Sequence, residues 1–330
     1  MARVEFCLLD IDYVVEDGKP VVRLWGKTKK GESVLAEDRD FEPYFYLEAE
    51  KEYLKTNELD NLKRRIRELK DFGEKVKNIE MVERRYLGGG KTFLRLVLSN
   101  PRDIPDLREI IKDWRGIKSL YEHDIPFYRR YLIDKGLVPM EWVSVEGEEG
   151  KSELAVNQVL EVKEIKPLEG EYPKFRVMAV DIEMVGDEVI MISMVSKGFR
   201  KVLTYGWKEE GRKYVEVVRN EEGMIKRFLE VVKEKDPDII VTYNGDLFDF
   251  VKLRERAEHH KISLSLGRDN DALVFARRGR IYSARMNGRV HVDLYNFIFH
   301  ILESSLLSET LTLDMVSNEL LGVGMKKLEW

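Results

Sequence analysis

A single cysteine, Cys7, serves the whole 330-residue chain, so no disulfide can form within it; a reducing cytoplasmic setting is expected. Glutamine is equally scarce, occurring only at Gln158, while Lys, Arg and Glu abound, a bias associated with heat-adapted proteins. No apolar run approaches the ~18 residues that a membrane span needs. Asp10 and Asp12 interrupt the N-terminal stretch where a secretory signal would lie. No membrane partner is therefore expected. Positive charge is not in excess: 56 Lys and Arg stand against 61 Asp and Glu, a net charge of −5. That argues against a protein that coats nucleic acid, and leaves only local basic tracks for phosphate. The five histidines, among them His259 and His260, show no metal-ligand spacing, and no repeat or low-complexity tract is present.

What is present points to two cores. The length suits two domains, and 43% hydrophobic with 35% charged residues fits a water-soluble globular composition. Strand-like runs at 6–14, 21–27, 33–36 and 44–47 precede a helical pattern at 58–72. Strands at 76–86 and 92–98 and a helix at 103–114 follow, a mixed α+β unit over residues 1–140. Residues 141–173 are rich in Glu and Gly and read as an inter-domain insertion or linker, with a small hairpin around 156–165. Residues 174–330 then run strand, hairpin, helix (221–234), strand (238–243), helix (250–260). Gly88-Gly-Gly-Lys-Thr92 imitates the end of a phosphate loop, but Arg85 stands where that loop needs glycine and a strand follows; it reads as a hairpin turn.

Three basic clusters offer tracks for DNA. Lys63-Arg-Arg-Ile-Arg67 lies on an amphipathic helix and reads as a solvated face. Arg129-Arg130 is flanked by Tyr128 and Tyr131, the aromatic interleaving of single-strand binders. Arg277-Arg278-Gly-Arg280, with Arg285 and Arg289, lies in strand-like sequence. DNA contact and plain solvation are both open for the last two.

The strand-like run 175–180 ends in Asp181-Ile182-Glu183. In a strand, residues two apart share a face, so these carboxylates sit roughly 6–7 Å apart along the backbone, hard oxygen donors that suit Mg²⁺ or Mn²⁺. Solvation alone would also explain them. Asp249 falls where the strand 238–243, broken by Asn244-Gly245-Asp246, passes into a helix. α/β sheets place ligands at such junctions, although Asp is also a good helix cap.

Together these segments resemble the first two motifs of the proofreading 3′→5′ exonuclease in family B DNA polymerases. Tyr-Asn-Gly-Asp-x-Phe-Asp-Phe at 243–250 resembles the archaeal form. Leu8-Leu-Asp-Ile-Asp-Tyr13, Phe41-Glu-Pro-Tyr-Phe-Tyr46, Tyr121-Glu-His-Asp-Ile-Pro-Phe127, the segment 130–139 and Arg289-Val-His-Val-Asp-Leu-Tyr295 are similar to that family too. The resemblance implies a mixed α/β chain, with an N-terminal α+β domain followed by an RNase H-like exonuclease domain. It implies that Asp181, Glu183 and Asp249 bind two divalent ions and catalyse hydrolysis, while Asn244 and Phe248 position a frayed 3′ strand. It further implies a template-uracil pocket of Tyr13, Pro43, Pro101, Ile104, Arg108 and Phe127, with Arg130 on a phosphate. The implied partners are single-stranded and primer–template DNA and a C-terminal polymerase part.

The family's third exonuclease motif, a Tyr-x-x-x-Asp, has no match in 296–330, since Phe299 follows Tyr295 by four. Asp293 is a less favoured substitute, the Glu183–Val189 connection is short, and Met184 replaces a more usual Thr or Cys. Weak or absent exonuclease activity is therefore expected of this chain by itself, read as an N-terminal piece that is truncated or encoded by a split gene. The alternative reading is a catalytically silent subunit that binds single-stranded DNA and uracil.

Overall fold

The computed structural model describes residues 1–55, 57–206, 211–278 and 281–322. Its contacts divide into two units, one of residues 1–151 and 157–172, the other of residues 152–156 and 173–330.

The first unit opens with β1 (Ala2–Glu16), β2 (Lys19–Thr28) and β3 (Ser33–Asp38). It continues through β4 (Tyr44–Ala49), α1 (Glu58–Arg67), β5 (Val76–Tyr86), β6 (Gly89–Leu98), α2 (Ile104–Ile111) and β7 (Ile117–Tyr121). α3 (Phe127–Lys135), β8 (Trp142–Glu149) and β9 (Gln158–Leu168) complete it. Five of these strands close a barrel in the order β1-β2-β3-β9-β8. Residues 141–173 therefore depart from the expected linker. Val143 and Val145 from β8, and Leu160, Val162 and Ile165 from β9, join Phe6, Leu8, Val22 and Leu24 in the barrel core. The Glu- and Lys-rich appearance of this stretch comes from its outward positions, which alternate with the buried ones.

Between β3 and α3 the chain inserts a second core. The order β4-α1-β5-β6-α2-β7 forms a four-stranded antiparallel sheet arranged β5-β6-β4-β7, the ferredoxin-like topology. Period-two alternation gives this sheet two different faces. Phe45, Leu47, Leu94, Leu96 and Leu98 pack under the helices with Leu62, Ile66, Leu107 and Ile111. Tyr44, Tyr46, Phe93 and Val97 gather on the other side. The imitation phosphate loop is indeed a hairpin: Tyr86 pairs with Gly89, and Leu87-Gly88 makes a two-residue turn with both φ angles positive, at 47° and 87°.

The second unit contains β10 (Val177–Val185), β11 (Glu188–Ser196), β12 (Phe199–Thr204), β13 (Val215–Val217) and α4 (Glu221–Lys235). β14 (Ile239–Thr242), α5 (Asp249–His259), β15 (Val274–Arg278), β16 (Ile281–Arg285), β17 (Val290–Asp293), α6 (Leu294–Phe297) and α7 (Leu313–Leu321) follow. Its six-stranded sheet runs β13-β12-β11-β10-β14-β17, with β10 to β12 antiparallel and β14 and β17 parallel to β10. Met224, Ile225, Phe228 and Val232 of α4 and Phe250, Leu253 and Ala257 of α5 bury their apolar stripes against it. A buried carboxylate fastens the two helices: Glu221 accepts both arms of Arg256 at 2.9 and 2.6 Å, the ring of His260 at 2.7 Å and the Val189 amide at 2.8 Å. Burial pushes its pKa up, but these partners outweigh that and hold it at about 2.

Gly26 in β2 shows how tightly the barrel is drawn. A Cβ there would lie 2.0 Å from the Phe6 ring and 2.6 Å from the Cys7 carbonyl oxygen. Gly26→Val should cost about 2–3 kcal/mol through overpacking, read as a lower urea midpoint at unchanged m-value; a wild-type midpoint would contradict this geometry.

Candidate active site

β10 and β14 are adjacent and parallel, with Met178 opposite Ile240 and Ala179 opposite Val241. Their carboxyl-terminal ends therefore emerge side by side, where open α/β sheets put their chemistry. Along β10, Val180 and Ile182 point into the core, and Asp181 and Glu183 take the opposite, exposed face. The ladder to β11 breaks between Glu183 and Met184, and Gly186-Asp187 then turns the chain into β11, which accounts for the short connection.

Asp249 is the first residue of α5, but its side chain does not cap that helix; Phe248 occupies the cap position. Only 2% exposed, the Asp249 carboxylate instead accepts the amide of Ile182 at 3.2 Å, which draws it against the strand that bears Asp181. Burial, then the nearby Asp181 charge, raises its pKa to about 6 in spite of that amide. Asp181 keeps contact with water yet is raised too, first by desolvation and then by Glu183. Like charges crowded together in this way are costly unless a proton or a cation neutralises them. Hard carboxylate oxygens fit a dication in charge and donor type, although no three Asp, Glu, His or Cys among the described residues stand close enough to hold an ion between them.

A second network fixes the turn between β14 and α5. Asn244 has φ +67°, a left-handed conformation that asparagine tolerates. Gly245 follows because a Cβ would lie 2.2 Å from the Thr242 hydroxyl. Asp293, at the end of β17, accepts the amides of Asn244 (2.8 Å), Asp246 (3.0 Å) and Tyr295 (3.0 Å). Asp246 in turn accepts Ala284 N at 2.6 Å and Asn296 Nδ2 at 2.9 Å, and pairs with His291 at 3.2 Å. The structure thus gives Asp293 a scaffolding task in place of the substitute-ligand role.

Other expected site residues are placed as follows. Phe248 is 41% exposed beside Asp249, not packed in the core. Arg289 leaves the set of candidate DNA contacts: it is buried and donates to Asp236 at 2.7 Å and to the Leu266 carbonyl at 2.9 Å. Burial and neighbouring Arg268 lower its pKa to about 10. Arg277 lies in the β15–β16 hairpin, and Arg280 falls outside the described residues. Arg130 is 6% exposed and pairs with Glu122 at 2.6 Å. Tyr13 meets Phe127 edge to face at 5.2 Å in the barrel core, whereas Ile104 packs in the other core beneath the four-stranded sheet. The Pro43 carbonyl accepts Leu98 N at 2.9 Å, Pro101 opens a short 3₁₀ turn, and Arg108 pairs with Glu109 at 3.0 Å.

Comparison with known proteins decides the family. The profile of the DNA polymerase family B exonuclease domain matches residues 118–314, well over half of the chain. The chain belongs to this family. The DNA polymerase of Thermococcus kodakarensis is 37% identical over 97% of the chain, and DNA polymerase 1 of Pyrococcus abyssi is likewise 37% identical over 97%. The chain spans 17% of the first relative's length and 38% of the second's. Among solved structures, the family B DNA polymerase of the hyperthermophilic archaeon Pyrobaculum calidifontis superposes with a TM-score of 0.79 and 32% identity. That match covers 96% of this chain and 39% of the other. The mixed α/β architecture with an RNase H-like exonuclease domain, expected from the motifs, is thus present. No helix among the described residues is long and apolar enough to cross a membrane.

The raised carboxyl of Asp249 has a signed consequence. The folded chain holds this proton more tightly than the unfolded chain does, so the acid costs no stability below pH ~4. Stability is lost as pH rises towards about 6 and is then level. Asp249→Asn, which still accepts the Ile182 amide, should stabilise the metal-free chain at pH 8 by about 3 kcal/mol. Chemical unfolding at a series of pH values should show that gain shrinking from pH 6 towards pH 4; a pH-independent difference would refute the assignment.

Proposed function

We propose that this family B exonuclease domain trims the 3′ end of single-stranded or frayed primer–template DNA, the proofreading reaction. The buried Asp249 carboxylate held against the Asp181 strand carries the reading, because such crowding of acids is useful to a phosphodiester hydrolase and wasteful otherwise. Asp181, Glu183 and Asp249 are the residues that would hold Mg²⁺ or Mn²⁺, which would supply water activation and charge neutralisation. The chain's own residues do the positioning. The exposed ring of Phe248 stacks on or wedges beside the terminal base, and Asn244, held in its left-handed turn, lines the approach. Arg130 neutralises strand phosphate from the first unit. DNA synthesis is assigned to a C-terminal polymerase part, in the same or a separate polypeptide.

A 5′-labelled single strand incubated with this chain and Mg²⁺ or Mn²⁺ should shorten slowly and stepwise, the weak activity expected without a third acidic motif, and Asp181→Ala should remove that residual shortening. Retention of the strand by folded protein without any shortening would sink the hydrolytic reading and leave strand binding as the activity.

For the first unit we propose recognition of template uracil by Tyr13, Pro43, Pro101, Ile104, Arg108 and Phe127. Pro, Ile and aromatic side chains accept a flat pyrimidine and exclude the 5-methyl group of thymine. Single strands that carry one deoxyuridine should bind severalfold more tightly than thymidine controls in anisotropy titrations. Equal binding would reject the pocket.

A further inference from the structure

The aromatic face of the ferredoxin-like sheet has no place in either reading above. Tyr46 on β4 and Phe93 on β6, the two central strands, lie 6.0 Å apart between ring centroids. Tyr121 on β7 and Tyr86 on β5 each meet another ring of this group at 5.5 Å. They floor a cavity of about 580 Å³ whose wall carries Arg84, Arg85, Arg95 and Arg130 against only two acids, Glu122 and Asp134. Glu122 and Asp134 are both spent on Arg130, at 2.6 and 3.9 Å, and Asp134 also takes the Tyr44 hydroxyl. Arg84 donates to the Tyr46 hydroxyl and the Glu83 carbonyl. Neither it nor Arg85 has a carboxylate partner among the described residues. Three buried side-chain nitrogens lack a hydrogen-bond partner among the described residues, and two of them, Nε of Arg95 and Nε of Arg130, belong to this wall. Both of these guanidinium groups lie over the Tyr44 ring, Arg95 at 4.0 Å and Arg130 at 5.0 Å from its centroid, and so hold positive charge against the aromatic wall.

We propose that this cavity binds one nucleotide of a single nucleic-acid strand, its base on the Tyr46–Phe93 floor and its phosphates at Arg84 and Arg85. Each part of the chemistry matches. A four-stranded antiparallel sheet that presents rings from its central strands stacks unpaired bases, and aromatic rings interleaved with arginines bind single strands with little regard to sequence. The volume suits a nucleotide. Cations already lie over rings of this wall, Arg95 over Tyr44 at 4.0 Å and Lys91 over Tyr86 at 4.3 Å, so the surface is charged as well as aromatic. The inference deepens the strand-binding reading of this chain and is independent of the acids at Asp181 and Asp249. DNA and RNA offer the same base and phosphate, so the chemistry is stated for both.

The test uses the full chain with fluorescent (dC)₁₂ and (rC)₁₂, which contain no uracil. Arg84→Glu/Arg85→Glu changes two exposed residues. It should weaken binding of the preferred strand tenfold or more, and flatten the log Kd against log salt slope by about 1.4, two phosphates at ~0.7 each. On the unaltered chain, photo-crosslinking of a 5-iodocytosine strand with peptide mapping should place adducts on Tyr46, Tyr86, Phe93 or Tyr121. Tighter (rC)₁₂ would make RNA the occupant, tighter (dC)₁₂ DNA. Unchanged affinity in the double variant, or adducts confined to Phe248 and its neighbours, overturns this site while the exonuclease reading stands. No binding of either strand overturns strand binding as a whole.

Discussion

The parallel pairing of β10 with β14 is the constraint on which the candidate active site depends. Two acids sit on a strand and a third on a helix some sixty-six residues later, and nothing local brings them together. Parallel alignment does so, because both strands end at the same edge and the helix that follows β14 must begin there. The Ile182 amide then closes the remaining gap by capturing the Asp249 carboxylate. A backbone group of the first motif thus orients a side chain of the second, and the pairing cannot slip without breaking that bond.

The neighbouring acids divide into two kinds by what surrounds them. Asp293 and Asp246 are saturated with amide donors and serve to hold the turn 244–246 in its left-handed shape. Asp181 and Asp249 have few donors, are desolvated and each lie near another acid, Glu183 for Asp181 and Asp181 for Asp249, and their pKa values rise. Satisfied carboxylates build the frame, and unsatisfied ones are left for chemistry. The same division recurs among the arginines: Arg268 and Arg289 are buried on Asp236 and Asp238, while Arg84 and Arg85 pair with no carboxylate among the described residues.

Much of this is legible in the sequence, for physical reasons that also explain the gaps. Period-two spacing places Asp181 and Glu183 on one face, and the break after the strand 238–243 places Asp249 at a helix start. The sequence leaves open whether Asp249 caps its helix, since only the fold shows that its carboxylate turns back to Ile182. Strands β8 and β9 escape notice because a barrel strand with a solvated outer face reads as a charged linker, and, besides each other, their partners β1 and β3 lie more than a hundred residues away. The aromatic cavity is invisible for a similar reason. Tyr46, Phe93 and Tyr121 come from three strands, and the antiparallel order alone makes them neighbours.

The barrel bears on how the chain is made. β1 finds its second neighbour only when β8 has been synthesised, and β3 waits for β9, which ends at Leu168. At translation rates of about 5–20 residues per second, the first three strands spend several seconds as an open sheet with both edges unpaired. The ferredoxin-like insert, complete by Tyr121, has all its partners at hand well before then. The nascent chain therefore folds from the inside outwards, with the inserted sheet as an early island and the barrel sealed around its ends last. Those waiting edges are the segment most exposed to misassociation during synthesis.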